Sequence, residues 1–470
     1  MLGRLRAGVL DLSEVHRFPN EPHRADGALR WNADRLWSDV RHALDIASSP
    51  SLEAVGVDAW GVDYALLDDD GGLLEDPYHY RDARTAGEME RLFSVVSRDR
   101  IYATTGIQCL PINTLYQLHA ACRETPAIIA RARTLLTIPD FFNYRLTGRR
   151  CTEYTIATTT QCVDAGTRTW ATPLLAAAGL PAQLFAPIVD AGTVVGSVSA
   201  AASPSRSGTP VVATAGHDTA SAVAAVHAGA GTAFLSSGTW SLLGTELPAP
   251  ILTPEARDRN FTNEGGVCGT IRLLKNISGL WLLQACRRSW AAAGQAPSYD
   301  ALLGAAADER HAFRSLIDPD HEQFVNPDDM PSSIDAYCRR TGQPAPDGHG
   351  GYTRAILESL ACKYRLVLES LETVTGRRVD EIRIVGGGSR SRLLNQFTAD
   401  ATGRRVIAGP AEATALGNIA MQMLAIGAAG SLGEVRDMIE RSFPVERFEP
   451  VAHDRWDAHN RRFKDYVDAA

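Results

Sequence analysis

Short apolar runs closed by glycine-rich turns alternate along the chain with longer stretches whose apolar positions recur at helical spacing, so strands and helices are expected in alternation. TPVVATAG (209–216) reads as a buried strand, and ASAVAAV (220–226) as a closely packed, alanine-rich helix. SLEAVGVDAWGVDYALLDDDGGLLED (51–76) predicts two strands, the second turning back at DDGG. IIARARTLLTIPDFFNYRLTG (128–148) predicts helix ending near Gly148, and GAGTAFLSSGTWSLLGTEL (229–247) predicts two strands meeting at SSGT. LLKNISGLWLLQACRRSW (273–290) reads mostly as a helix with an apolar stripe, and IRIVGGGSRSRLLNQFTAD (382–400) as a strand, three glycines and a helix. Residues 186–212 read as a loose connection rich in Ser, Gly and Pro; from 431 an irregular stretch leads into a charged terminal helix. This alternation defines an α/β fold class.

A chain of 470 residues is too long for one compact domain, and two domains of about 200 residues are expected. A fresh α/β segment begins after the strand and helix at 209–226, which places the boundary near residue 228. The expected division is 1–228, 229–430 and a helical tail, 431–470. No 20–50-residue repeat and no low-complexity tract interrupts it.

Composition narrows the partners. A net charge of −8 argues against nucleic acid or an anionic membrane as the main one. No apolar run reaches the roughly 18 residues of a membrane span, and MLGRLRAGVLDL lacks the apolar core of a secretory signal. The eight cysteines are scattered without a CxxC pair, so neither a zinc site nor a disulfide framework is indicated and reduced thiols in a cytoplasm are expected. The only lysines are Lys275, Lys363 and Lys464; none sits in a GxxxxGK[ST] loop, which excludes a P-loop nucleotide site.

Four stretches carry candidate chemistry. In GHDTASAV, Asp218 follows His217 where a strand gives way to a helix, a place where free backbone N–H groups favour a carboxylate. Alone, this is a helix cap beside a histidine. The tip Ser236-Ser237-Gly238-Thr239 gathers hydroxyls and N–H groups that suit phosphate oxygens, although Ser and Gly are also ordinary turn residues. Gly386-Gly387-Gly388 allows close backbone approach to a ligand at the end of a strand, without the GxGxxG pattern of a dinucleotide site. Asn276 and Gln284 interrupt an apolar stripe, either as satisfied core amides or as partners for a bound hydroxyl or base.

Taken together, DAWGVDYALLD, YHYRDART, GIQCLPINTLYQL, EYTIATTTQ, GHDTASAV, LSSGTWSLLG, NEGG, LLKNISGLWLLQ, VGGG and VIAGPAEATALGNI resemble the FGGY family of carbohydrate kinases, in order and over nearly the whole chain. The resemblance implies the two-domain, actin-like ATPase (ribonuclease H-like) fold. It also implies transfer of a phosphoryl group from ATP, with Mg²⁺, to the C1 hydroxyl of a ketose, L-rhamnulose. On this resemblance Asp218 is the proton acceptor, with His217, Thr219, Gly61 and Asn276 lining the sugar. Thr239, Gln284 and Gly387 match ATP-contacting positions, and no metal ligand is assigned. The sugar is expected against the N-terminal domain and ATP mostly on the C-terminal one. Phosphoryl transfer asks mainly for positioning and charge neutralisation, so a carboxylate that orients the hydroxyl and takes its proton late suffices.

Two other outcomes are distinguished by chemistry. Another kinase of the family would act on L-fuculose or xylulose, and a non-catalytic relative would bind sugar or nucleotide without needing a base at Asp218. The family also opens with a strand and a Gly/Ser-rich phosphate loop. MLGRLRAGVLDLSEVHRF reads as the strand after that loop, so about 18 preceding residues, carrying an aspartate and the loop, are expected upstream of Met1. The oligomeric state is left open.

Overall fold

The computed structural model describes residues 1–47 and 52–468; Ser51, the first residue of the expected strand pair, lies outside them. The chain divides into two compact units. One is Met1–His227 with Glu246–Leu273 and Ala413–Ser442; the other is Ala228–Thr245 with Leu274–Glu412 and Phe443–Ala470. The change at 227/228 falls beside the expected boundary, but each unit is discontinuous, and 431–442 belongs to the first unit while 443–470 belongs to the second.

The first unit opens with an antiparallel hairpin, Leu2–Arg6 with Val9–Ser13, where a single strand was expected. Its two-residue turn uses Ala7 and Gly8 at φ 49° and 77°, the left-handed pair that matches the strand twist. A parallel pair, Val55–Gly56 with Pro210–Ala213, carries Thr193–Ser197 antiparallel on its other side. The loose connection expected over 186–212 therefore contains a strand. Its irregular Ser/Gly/Pro composition hid it, and a register shift between Val194 and Gly196 breaks the alternation.

Tyr64–Leu67 pairs antiparallel with Thr134–Thr137. Side chains of a strand alternate between faces, and here both faces are buried. Ala65 and Leu67 join a core with Trp37, Leu136 and Phe141, while Tyr64 and Leu66 join another with Leu115, Tyr116 and Leu135. Residues 128–148 are thus not one helix. Thr134–Thr137 is a strand between helices Pro126–Arg131 and Ile138–Thr147, because four residues, TLLT, buried on both faces have no periodicity to separate them from helix. The stop at Gly148 is as expected: it sits at φ 80° and its N–H bonds to the Tyr144 carbonyl.

The second unit is built on Thr232–Ser237, flanked by Trp240–Leu247 antiparallel and by Glu381–Val385 parallel. Arg405–Ala408 continues the sheet in parallel, and Glu446–Phe448 closes it antiparallel. The 28-residue helix Gly348–Thr375 runs through the unit with most of its length buried and ends at Gly376, φ 63°. Two readings change here. Residues 271–278 form a strand, so Asn276 lies on a strand and only Trp281–Ala292, carrying Gln284, is helical. Gly279 makes the break: a Cβ there would stand 2.8 Å from the Gly238 carbonyl oxygen. In the first unit, Leu432–Ser442 is a helix rather than an irregular stretch.

Candidate active site

Asp218 begins the helix Asp218–Ala224 directly after the strand Pro210–Ala213, with His217 in extended conformation before it. Backbone bonds fix the junction. The Ala59 N–H donates to Gly216 O at 2.9 Å, and the Asp218 N–H to Ala59 O at 2.9 Å, so the DAWGVD segment lies against the GHD segment. Glu153, 1% exposed, accepts from the Gly216 N–H at 2.8 Å and from Thr155 Oγ at 2.6 Å; Thr155 Oγ in turn accepts from the His217 N–H. Burial pushes the Glu153 carboxyl up to about 7, against its hydrogen bonds with Thr155 and with the Gly216 and Ile156 N–H groups. The Asp218 side chain is 46% exposed, while its backbone oxygen accepts from Thr414 Oγ at 3.3 Å. Thr219 Oγ donates to Asp218 Oδ1 at 3.2 Å.

The alanine-rich sequence after Asp218 now has its cause. The helix Ala413–Ala425 packs so closely on Asp218–Ala224 that a Cβ at Gly417 would lie 1.7 Å from the Ser221 carbonyl oxygen. Only glycine allows that approach.

Gly61 occupies the turn of WGVD. A Cβ there would meet Thr159 at 3.1 Å, and the next residue, Val62, is held at φ 68°, a rare conformation for a β-branched residue. Three bonds hold it: the Val62 N–H donates to Thr159 Oγ at 3.2 Å, and its carbonyl accepts from Thr114 Oγ at 2.6 Å and Gln117 Nε2 at 3.3 Å. Gly61→Val would displace Thr159 and this turn. Overpacking of this kind costs about 1–3 kcal/mol, so with Gly61 at the sugar, as the resemblance implies, the sugar KM should rise about five- to a hundredfold while the ATP KM stays within about twofold. Steady-state kinetics with each substrate varied in turn read this, and an unchanged sugar KM with a raised ATP KM contradicts it.

Three groups beside these residues carried no assignment in the sequence. Asp58, half-buried, accepts from Asn418 Nδ2 at 2.5 Å; Gln422 Nε2 donates to Asn418 Oδ1 at 2.7 Å and so fixes which way the Asn418 amide faces. Glu264, in NEGG, and Arg272, 0% exposed, flank the His217 ring. Asp58 and Glu264 stood inside quoted motifs, and Arg272 was the lone charge in IRLL, but nothing local tied them to His217 or Asp218.

Burial, and less so the neighbouring Asp218 charge, pushes the Asp58 carboxyl up to about 7, against the Asn418 hydrogen bond. The folded chain therefore holds a proton there that the unfolded chain has lost above about pH 4. The contribution to stability is present below that pH and is lost as pH rises toward 7. Urea unfolding of the parent at pH 5 and pH 8 should show a fall in stability that Asp58→Asn reduces; equal slopes in the two proteins contradict it.

In the second unit the tip between Ser237 and Trp240 is clamped by the segment after Asn276. The Gly279 and Trp281 N–H groups each donate to Thr239 O at 3.1 Å, and the Leu280 N–H donates to Gly238 O at 2.9 Å. Thr239 Oγ reaches Gln284 Oε1 at 3.2 Å, which brings two of the expected nucleotide residues together. The segment is anchored below: buried Lys363 pairs with Asp318 at 2.8 Å and Asp320 at 3.0 Å, and Asp320 accepts from the Ser278 N–H at 2.7 Å. The three glycines differ. A Cβ at Gly388 would stand 2.0 Å from Ser237 Oγ, and Gly386 sits at φ 82° with 3.0 Å to Ser237 O, whereas at Gly387 nothing lies within 4 Å. Gly388→Ala should therefore lower the melting temperature by several degrees, and Gly387→Ala should leave it within about a degree while raising the ATP KM. Thermal unfolding together with ATP kinetics separates the two, and a Gly387→Ala variant as unstable as Gly388→Ala contradicts the assignment.

The eight expected residues thus divide evenly. Gly61, His217, Asp218 and Thr219 lie together in the first unit; Asn276, Thr239, Gln284 and Gly387 lie in the second. Residues 11–225 match the N-terminal domain and residues 233–426 the C-terminal domain of the FGGY family of carbohydrate kinases. The chain belongs to that family and is a sugar kinase, with a sugar and ATP as its substrates. Among proteins, it is 44% identical over 472 residues to the rhamnulokinase of Bacteroides thetaiotaomicron, covering 99% of this chain and 96% of that one. It is 43% identical to the rhamnulokinase of Pectobacterium carotovorum, over 97% and 91% of the two chains. Among solved structures, it is similar to a ligand-bound xylulose kinase from Lactobacillus acidophilus at a TM-score of 0.79 and 16% identity, over 98% and 94% of the chains. Plasmodium falciparum glycerol kinase with ADP gives 0.74 at 15% identity, over 96% and 91%. These likenesses show the two-domain sugar-kinase fold. Among the described residues, no helix is long and apolar enough to cross a membrane.

Proposed function

We propose that the chain transfers the γ-phosphoryl group of ATP to the C1 hydroxyl of L-rhamnulose, giving L-rhamnulose 1-phosphate and ADP. The observation that carries this reading is the carboxylate of Asp218. It is open to solvent, fixed by its backbone on both sides, and set in a chain 44% identical to a rhamnulokinase. Asp218 holds the C1 hydroxyl and takes its proton as the phosphoryl group arrives. His217 and Thr219 hold neighbouring hydroxyls, and the Gly61 turn leaves room for one against the backbone. Asn276 is assigned to the sugar, and Thr239, Gln284 and the open position at Gly387 receive the nucleotide. Mg²⁺ belongs to this reading as the ion carried on the phosphate oxygens with its own waters; no side chain is assigned to it.

The test is a panel of L-rhamnulose, L-fuculose and D-xylulose with ATP and Mg²⁺, following ADP release and identifying the product by ³¹P NMR. Preference for L-rhamnulose with a 1-phosphate product is expected. A better rate on either other ketose reassigns the sugar, and sugar binding without ADP release makes the chain a non-catalytic relative.

A further inference from the structure

The chain contains a fully buried arginine that touches the histidine beside the candidate base. Arg272 Nη2 is in hydrogen-bond alignment with His217 Nδ1 at 3.2 Å, and Arg272 Nε donates to the Gly265 carbonyl at 2.9 Å, which fixes the guanidinium plane. Glu264 Oε2 stands 3.0 Å from Arg272 Nη2 and supplies the counter-charge that a buried cation needs; it also lies 3.1 Å from Nδ1. On the other side of the ring, His217 Nε2 is 3.5 Å from Asp218 Oδ1.

A guanidinium has donors and no acceptor, and a neutral imidazole has one of each. With the proton on Nδ1, that N–H has Glu264 Oε2 as an acceptor but meets the Arg272 Nη2 donor at the same nitrogen, and the lone pair of Nε2 would face the Asp218 carboxylate. With the proton on Nε2, Nδ1 accepts from Arg272, whose Nη2 also pairs with Glu264 Oε2 and so offsets the carboxylate beside the bare nitrogen, and Nε2–H is directed at Asp218 Oδ1. We infer that Arg272, balanced by Glu264, is a positioning residue that holds His217 in its Nε2–H form, so that the ring presents a donor beside Asp218. This deepens the proposed function and rests on its placing of His217 and Asp218 at the sugar. A donor there bonds the acceptor hydroxyl through its oxygen and leaves that hydroxyl's proton free to point at Asp218.

The experiment is NMR of the full chain labelled in the histidine rings, with the His217 signal identified by its loss in His217→Asn. The nitrogen and Cδ2 shifts of the neutral ring report the tautomer without any turnover, so an inactive chain would sink the proposed function and leave this inference standing. In the parent the Nε2–H form is expected, and an Nδ1–H ring overturns the inference. Arg272→Lys keeps a donor and should keep the Nε2–H form. Arg272→Met removes it, and His217 should switch to Nδ1–H bonded to Glu264, with a rise in the ketose KM of about tenfold and a smaller change in kcat. An Nε2–H ring persisting in folded Arg272→Met assigns the tautomer to something else and overturns the role of Arg272. Should Arg272→Met fail to fold, the parent and Arg272→Lys spectra decide.

Discussion

Asp218→Asn is expected to lower ketose-dependent ATP turnover by about a thousandfold, within the range that positioned proton acceptors contribute, while ketose affinity stays within about threefold. The substitution keeps shape and hydrogen-bonding reach. The backbone contacts to Ala59 and Thr414 do not involve the side chain, so the helix start should survive. Only the ability to take a proton is lost. Calorimetric titration of the ketose beside initial rates separates the two effects, and an Asn variant turning over within a few-fold of the parent would remove Asp218 from the chemistry.

Gly417→Val is expected to be the most damaging substitution outside the site. The 1.7 Å approach of its would-be Cβ to the Ser221 oxygen is to backbone, which cannot rotate away, so one helix has to move. Overpacking alone costs about 1–3 kcal/mol, and a displaced helix adds to it. Because Thr414, on the same helix, holds the Asp218 carbonyl, the loss should appear in kcat as well as in denaturant midpoint. Gly427→Ala is the control, since a Cβ there meets nothing within 4 Å and only its φ of +73° opposes the change. Equal midpoints for Gly417→Val and the parent would show that the two helices do not pack as described.

Legibility in the sequence followed locality. The turn between Ser237 and Trp240, the stop at Gly148 and the helix starting at Asp218 are each set by a few adjacent residues, and each was readable. The strand Thr134–Thr137 and residues 273–278 of the strand Ile271–Ser278 were read as helix because short, partly apolar stretches satisfy both patterns; what decides is the partner strand. The site divides in the same way. Gly61, His217 and Asp218 were proposed from motifs, whereas the contacts of Arg272 with His217, of Asn418 with Asp58 and of Thr414 with Asp218 span 55, 360 and 196 residues. Nothing in IRLL or in ALGNI says which distant group it meets. The return of residues 413–442 to the first unit is a matter of tertiary packing that no linear boundary such as the expected one near 228 can express.

That return sets a timetable for biosynthesis. A nascent chain that has released residues 1–412 from the ribosome has made Asp218 and its helix but not the helix Ala413–Ala425 on which that helix lies. At about 5–20 residues per second the small, apolar surface of Ala220–Ala224 waits many seconds for its cover, while the residues of the second unit are being made in between. The first unit begins to be synthesised first and can finish folding only after Ser442 has emerged, so a ribosome stalled before residue 413 would present chaperones and proteases with an incomplete first unit.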